Sequence, residues 1–135
     1  MGMDVWGKNP SGPEGKYFRA NIWSWRPIHA LIGELCADLI DEETMGRMSI
    51  NVGAGPSDPE VCQQMAARFD QWLEHNATGK TLDLELRVTT EGRFVTPAER
   101  AANPELQTES PYQVQDEHLK EWVTFLRSCG GFEVW

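Results

Sequence analysis

The apolar positions of this chain follow two periods, and the switches between them lay out its elements. Ile28, Leu31, Ile32, Leu35 and Leu39 recur at helical spacing. They predict a helix from about Trp25 that fades in the acidic run Asp41-Glu42-Glu43. Ser24 is placed to cap it, and Pro27 is tolerated in a first turn, where an N–H would go unpaired anyway. Val61, Met65, Phe69, Trp72 and Leu73 form a second apolar stripe. Ser57-Asp58-Pro59-Glu60 before it has the form of a capping box, and Gly79 stops the helix near Asn76. Leu119, Trp122, Val123 and Leu126 mark a third helix, capped by Asp116 and ended by Gly130-Gly131.

A period of two appears at Leu82, Leu84, Leu86 and Val88, which alternate with Asp83, Glu85 and Arg87. That predicts one half-buried strand, polar on one face. Glu91-Gly92 is a turn signal, and Arg93-Phe94-Val95 is its candidate partner strand. Met3-Asp4-Val5-Trp6 is a short strand in an otherwise loop-like start, and Phe132-Glu133-Val134-Trp135 is a closing strand. Residues 49–56 read as a loop. Residues 96–111, with three prolines, read as a long loop or at best a short helix. The pattern gives an α+β fold, about three helices packed on a small, mostly antiparallel sheet, in a single domain spanning 1–135.

Length and composition fit one soluble core. No apolar run approaches the ~20 residues of a membrane helix, and the start lacks the pattern of a signal peptide. The expectation is a cytoplasmic protein without a membrane role. Cys36, Cys62 and Cys129 have no metal-type spacing, so no zinc site is expected, and Cys36, on an apolar helix face, reads as a reduced, buried thiol. The formal charge of −9 is uneven. Residues 1–30 carry four basic against two acidic side chains, and the rest carry eight against nineteen. General nucleic-acid binding is disfavoured by that balance. An acidic body instead suits basic partners, including proteins that normally hold nucleic acid.

The densest candidate chemistry lies in Tyr17-Phe18-Arg19-Ala20-Asn21-Ile22-Trp23-Ser24-Trp25-Arg26-Pro27. Rings need cover and guanidinium groups need partners, so this is either a polar piece of core or the wall of a binding site. As a strand, it would put Tyr17, Arg19, Asn21, Trp23 and Trp25 on one face. Trp23 or Trp25 would then stack on a nucleobase, with Arg19 or Arg26 on a phosphate and Asn21 reading an edge. Packed as core, Phe18, Ile22 and Trp25 turn inward while the arginines pair with carboxylates. The candidate ligand- or partner-binding set is therefore Tyr17, Arg19, Asn21, Trp23, Trp25 and Arg26.

Other motifs weigh less. Gly53-Ala54-Gly55 before a helix is a weak anion site, since Asp58 and Glu60 in the first turn would repel a phosphate. His29, His75 and His118 lie far apart and fall in no nucleophile or metal pattern. Asp83 and Glu85 share a strand face, which reads more simply as solvated than as a catalytic pair. No catalytic residue, metal ligand or cofactor is assigned.

Three stretches resemble a family. Met1-Gly2-Met3-Asp4-Val5-Trp6-Gly7 and Tyr17-Phe18-Arg19-Ala20-Asn21-Ile22-Trp23-Ser24-Trp25-Arg26-Pro27 match MG-x-D-V-x-G and YFR-x-N-x-W-x-WRP. Phe125-Leu126-Arg127-Ser128-Cys129-Gly130-Gly131-Phe132 matches FL-x-x-x-GGF. These motifs are similar to those of small phage, prophage and bacterial proteins to which no activity is assigned. Members with a Cys-rich middle segment differ from this chain. The resemblance implies a mobile-element setting, and within it a non-enzymatic accessory protein that binds a host protein. The leading expectation is an anti-CRISPR-like inhibitor of a bacterial defence system, whose target is a nucleic-acid-binding component. The alternative is a nucleotide or nucleotide-signal binding protein using the Trp/Arg segment, and third is a carboxylate- or metal-dependent hydrolase.

Overall fold

The structure is a computed structural model that describes residues 2–76, 81–83, 87–89, 94–95, 97–105, 108–109 and 113–135. It is α+β. Strand β1 (Gly2–Gly7) is followed by a 3-10 turn at Pro13–Gly15, then β2 (Tyr17–Asn21) and α1 (Ile22–Leu35). A short α2 (Glu42–Arg47) and a long α3 (Pro59–Asn76) come next. Strands β3 (Thr81–Asp83), β4 (Arg87–Thr89) and β5 (Phe94–Val95) precede α4 (Pro97–Ala102). Strands β6 (Thr108–Glu109) and β7 (Gln113–Gln115), helix α5 (Asp116–Ser128) and strand β8 (Phe132–Val134) complete the order.

The main sheet runs β2-β1-β8, antiparallel throughout, so the two ends of the described chain meet in one sheet. Its alternation is strict. Met3, Val5, Phe18, Ala20, Phe132 and Val134 face inward and are buried. Against them pack Ile28 and Ile32 of α1, Met65 and Phe69 of α3, and Leu119 and Leu126 of α5. Trp122 of α5 lies at the centre of the aromatic core. Phe18, Phe132, Trp25 and Phe125 have ring centroids 5.0, 5.3, 5.5 and 5.6 Å from it. The Trp25 and Phe132 rings meet it edge-on, at 82° and 76°, the geometry that ring quadrupoles favour.

Several local expectations are corrected. Helix α1 starts at Ile22 rather than near Trp25, because Asn21 is its cap. The Asn21 side chain accepts from the Ser24 N–H at 2.9 Å, and Ser24 Oγ accepts from the Asn21 N–H at 3.3 Å. Ser24 is thus the third residue of a capping box, and Pro27 lies inside the helix. The acidic run does not end α1. It opens α2, with Asp41 accepting from the Thr44 N–H at 2.9 Å. That bond holds the Asp41 carboxyl below its ordinary pKa. At α3, Asp58 rather than Ser57 takes a first-turn amide, that of Glu60, while Ser57 accepts from Lys8. Gln115, not Asp116, precedes α5.

The single strand expected over Leu82–Val88 is divided between two sheets. β3 pairs with β7, whereas β4 pairs with β5 and β6. Alternation fixes which face a residue takes but does not name the partner strand. Leu84, Glu85, Leu86, Gly79, Glu91, Gly92 and Arg93 lie outside the described residues.

Candidate functional site

Strand β2 presents the first half of the aromatic–arginine segment, and α1 turns the second half away from it. Tyr17, Arg19 and Asn21 point out from the sheet, and Phe18 and Ala20 point in. The chain then coils into α1, so the expected single face does not continue. Trp23 is 48% exposed on the helix, but Trp25 is fully buried. The Trp25 indole donates to the Met48 carbonyl at 2.9 Å. Trp25 is therefore a core residue, and a ligand sandwich between Trp23 and Trp25 does not form. Asn21 spends its side-chain oxygen on the helix cap. Arg26 is exposed on α1 and makes contacts of its own.

The outer face of the β2-β1-β8 sheet assembles residues that the linear segment does not contain. Trp6 on β1 lies opposite Tyr17 on β2, with ring centroids 4.5 Å apart. Asp4 lies opposite Arg19 on one side, and exchanges both backbone bonds with Trp135 on the other, at 2.8 and 2.6 Å. Trp6 faces Glu133 of β8, which makes Trp135 its diagonal neighbour. Trp6, Tyr17 and Trp135 are 46%, 37% and 48% exposed. Three aromatic side chains thus share one open sheet face. The Tyr17 hydroxyl donates to Asp4, and that bond, followed by burial and the carboxylate charge, raises the Tyr17 pKa above its ordinary value.

The loop after α2 borders this face. Ile50 and Val52 are exposed there, and the Asn51 side chain donates to the Gly2 carbonyl at 3.0 Å. Gly53 packs directly under the Trp135 ring with φ of +76°, a conformation suited to glycine. The Gly53-Ala54-Gly55 turn has spent its backbone on β8. The Gly53 N–H donates to the Val134 carbonyl at 2.7 Å, and the Val134 N–H to the Ala54 carbonyl at 2.9 Å. The weak anion site expected there is instead a strand cover.

The histidines act as backbone clamps. His29 Nε2 donates to the Met45 carbonyl at 2.7 Å, His75 Nδ1 to Gln71 at 3.0 Å, and His118 Nε2 to Arg19 at 2.9 Å. Arg68 of α3 donates to the Leu35 carbonyl at 2.8 Å and to both Asp38 oxygens, and the Asp38 carboxyl is held low by this pairing. Cys36, Cys62 and Cys129 are free and buried. Burial pushes the Cys36 thiol up to about 11. Cys62 is raised too, chiefly by its hydrogen bond with Cys129, a neighbour that their spacing of 67 positions gave no sign of. Asp83 lies on β3, and Glu85 is outside the described residues. Among the described residues, no three His, Cys, Asp or Glu side chains gather as a metal-binding group. No described helix is long and apolar enough to cross a membrane.

What sequence reasoning missed was Trp6 and Trp135. The signal was present in the alternation of Met3-Asp4-Val5-Trp6 and of Phe132-Glu133-Val134-Trp135, which puts each Trp opposite the buried residues of its strand. Set beside family models, curated proteins and solved structures, the chain matches none.

Proposed function

We propose that this is a non-catalytic protein-binding protein whose contact surface is the outer face of the β2-β1-β8 sheet. One observation carries this reading: Trp6, Tyr17 and Trp135 stand exposed side by side on a rigid sheet, where each could instead have been polar. Tryptophan, tyrosine and arginine dominate the energetics of protein interfaces, and large exposed apolar patches mark docking sites. Arg19, Asp4 and Glu133 interleave with the rings and give the patch a polar pattern. Within the mobile-element setting that the sequence resemblance implies, the partner is a host protein. The acidic chain suits a nucleic-acid-binding component of a bacterial defence complex, and inhibition follows from occupying its surface. The nucleotide alternative loses support, because Trp25 is in the core.

The test is affinity capture from a bacterial lysate with the native chain and with a Trp6→Ser/Trp135→Ser variant checked for folding. A host protein held by the native chain and lost by the variant supports the reading. Equal capture by both, or capture of nothing, sinks it. Relief of a defence system by the native chain alone then separates an inhibitor from a mere binder.

A further inference from the structure

We infer that the edge of β2 away from β1, unpaired among the described residues, is a strand-addition site for an extended, basic peptide segment of a protein partner. This surface borders the aromatic face and shares Tyr17 and Arg19 with it, but it rests on their backbone groups.

The hydrogen-bond register shows which backbone groups of β2 are already used. The Gly7 N–H donates to the Lys16 carbonyl at 3.0 Å, whereas Asp4 bonds to Trp135 on the other side. In an antiparallel ladder these directions alternate, so odd residues of β1 bond to β2 and even residues bond to β8. On β2, Phe18 and Ala20 complete the ladder, and the backbone groups of Tyr17 and Arg19 point outward. The Arg19 carbonyl takes the His118 ring N–H at 2.9 Å. Among the described residues, nothing bonds the Tyr17 and Arg19 amides. The other edge of the sheet is closed. Phe132 and Val134 of β8 donate to the Pro56 and Ala54 carbonyls, both at 2.9 Å.

Alongside the open edge runs a groove of about 390 Å³ between β2 and α5. Phe18 and Phe125 supply its apolar lining, and Thr124 a hydroxyl. Glu14, Glu117 and Glu121 line it with Arg19 and Lys120. Lys120 is already paired with Glu117 at 3.5 Å, which leaves Glu14 and Glu121 available to cations. An added strand presents side chains with a period of two. Side chains on the face toward α5 then meet Glu14 and Glu121, which favours lysine or arginine there. A second copy of the chain fits less well. Two-fold pairing of β2 with itself sets two chains of charge −9 side by side.

The probe is a blocked peptide of alternating lysine and valine, titrated into the full chain. Binding is read by anisotropy and by NMR amide exchange, with an alternating glutamate–valine peptide as control. Arg19→Pro removes the outward N–H, which an edge strand tolerates, and Arg19→Ala removes the charge but keeps the donor. The expected result is slowed exchange at Tyr17 and Arg19, no binding of the acidic peptide, and roughly tenfold weaker binding in Arg19→Pro than in Arg19→Ala. If Arg19→Pro fails to fold, Glu14→Lys/Glu121→Lys takes its place and is expected to abolish binding. No binding of the basic peptide, protection elsewhere, or a concentration-dependent dimer protecting the same two amides would each overturn the inference.

Discussion

The indole N–H of Trp25 donates to the Met48 carbonyl at 2.9 Å inside the core, and ties the start of α1 to the end of α2. Trp25→Phe leaves that carbonyl buried without its donor. The expected loss is about 1–3 kcal/mol beyond the change in ring volume, measured by denaturant unfolding. Trp122→Phe is the matched control, because the Trp122 Nε1 has no hydrogen-bond partner among the described residues. It is expected to cost less than Trp25→Phe. Equal losses would mean that the bond to Met48 contributes nothing.

Asn21 and Ser24 satisfy each other's backbone N–H groups at the start of α1. Asn21→Ala is expected to destabilise the protein by about 1 kcal/mol. A double-mutant cycle with Ser24→Ala should give a coupling energy clearly different from zero, since both residues belong to one cap. Additive effects would count against the reciprocal cap.

Gly53 carries Trp135 on its surface. A Cβ there would lie 2.4 Å from the Trp135 ring, on backbone with φ of +76°. Gly53→Ala should therefore lose about 1–2 kcal/mol to the left-handed backbone and more to displacement of the ring. In a Trp135→Ala background only the backbone cost remains, so the measured penalty shrinks. An unchanged penalty would show that the ring is not in contact.

Tyr17 keeps its proton longer than an ordinary tyrosine because Asp4 accepts its hydrogen bond. The folded-state pKa lies above the unfolded value of about 10. This contribution to stability is fully present below that value and is lost as pH rises through the folded pKa. Absorbance titration in a Tyr112→Phe background isolates Tyr17. Asp4→Asn is expected to move its ionisation to lower pH, and no movement would remove Asp4 as the cause.

Cys36, Cys62 and Cys129 are closed to solvent, and the Cys36 and Cys62 thiols are harder to ionise than usual. A thiol reagent is expected to modify none of the three in the native chain at neutral pH and all three in denaturant. Rapid labelling under native conditions would contradict the packing around α3 and α5.

Helix stripes were the most legible part of the sequence. Met65, Phe69, Leu119, Trp122 and Leu126 are buried as their spacing implied, and Phe94-Val95 does pair with β4. Their periodicity reports burial directly. The boundaries were harder, because Asn21, Ser24, Asp41 and Asp58 are all competent caps, and only geometry selects among them. The site was half legible. Tyr17 and Arg19 are exposed as strand alternation required, but Trp25 is not, since the chain leaves the strand at Asn21. Trp6 and Trp135 join Tyr17 only through the pairing of distant strands, information that no local window contains.

The central strand of the main sheet is also the first, and its β8 partner lies at the opposite end of the described chain. Folding order follows from this. β1 and β2 meet through a short connection and can pair early, but Asp4 must wait for Trp135. Such high sequence separation slows the final step, because loop-closure entropy is lost before the contacts form. Until β8 docks, one flank of β1 stays unpaired and Trp122 lacks the Phe132 ring beside it. Trp6 and Tyr17 can therefore meet early, and Trp135 joins them only when β8 docks.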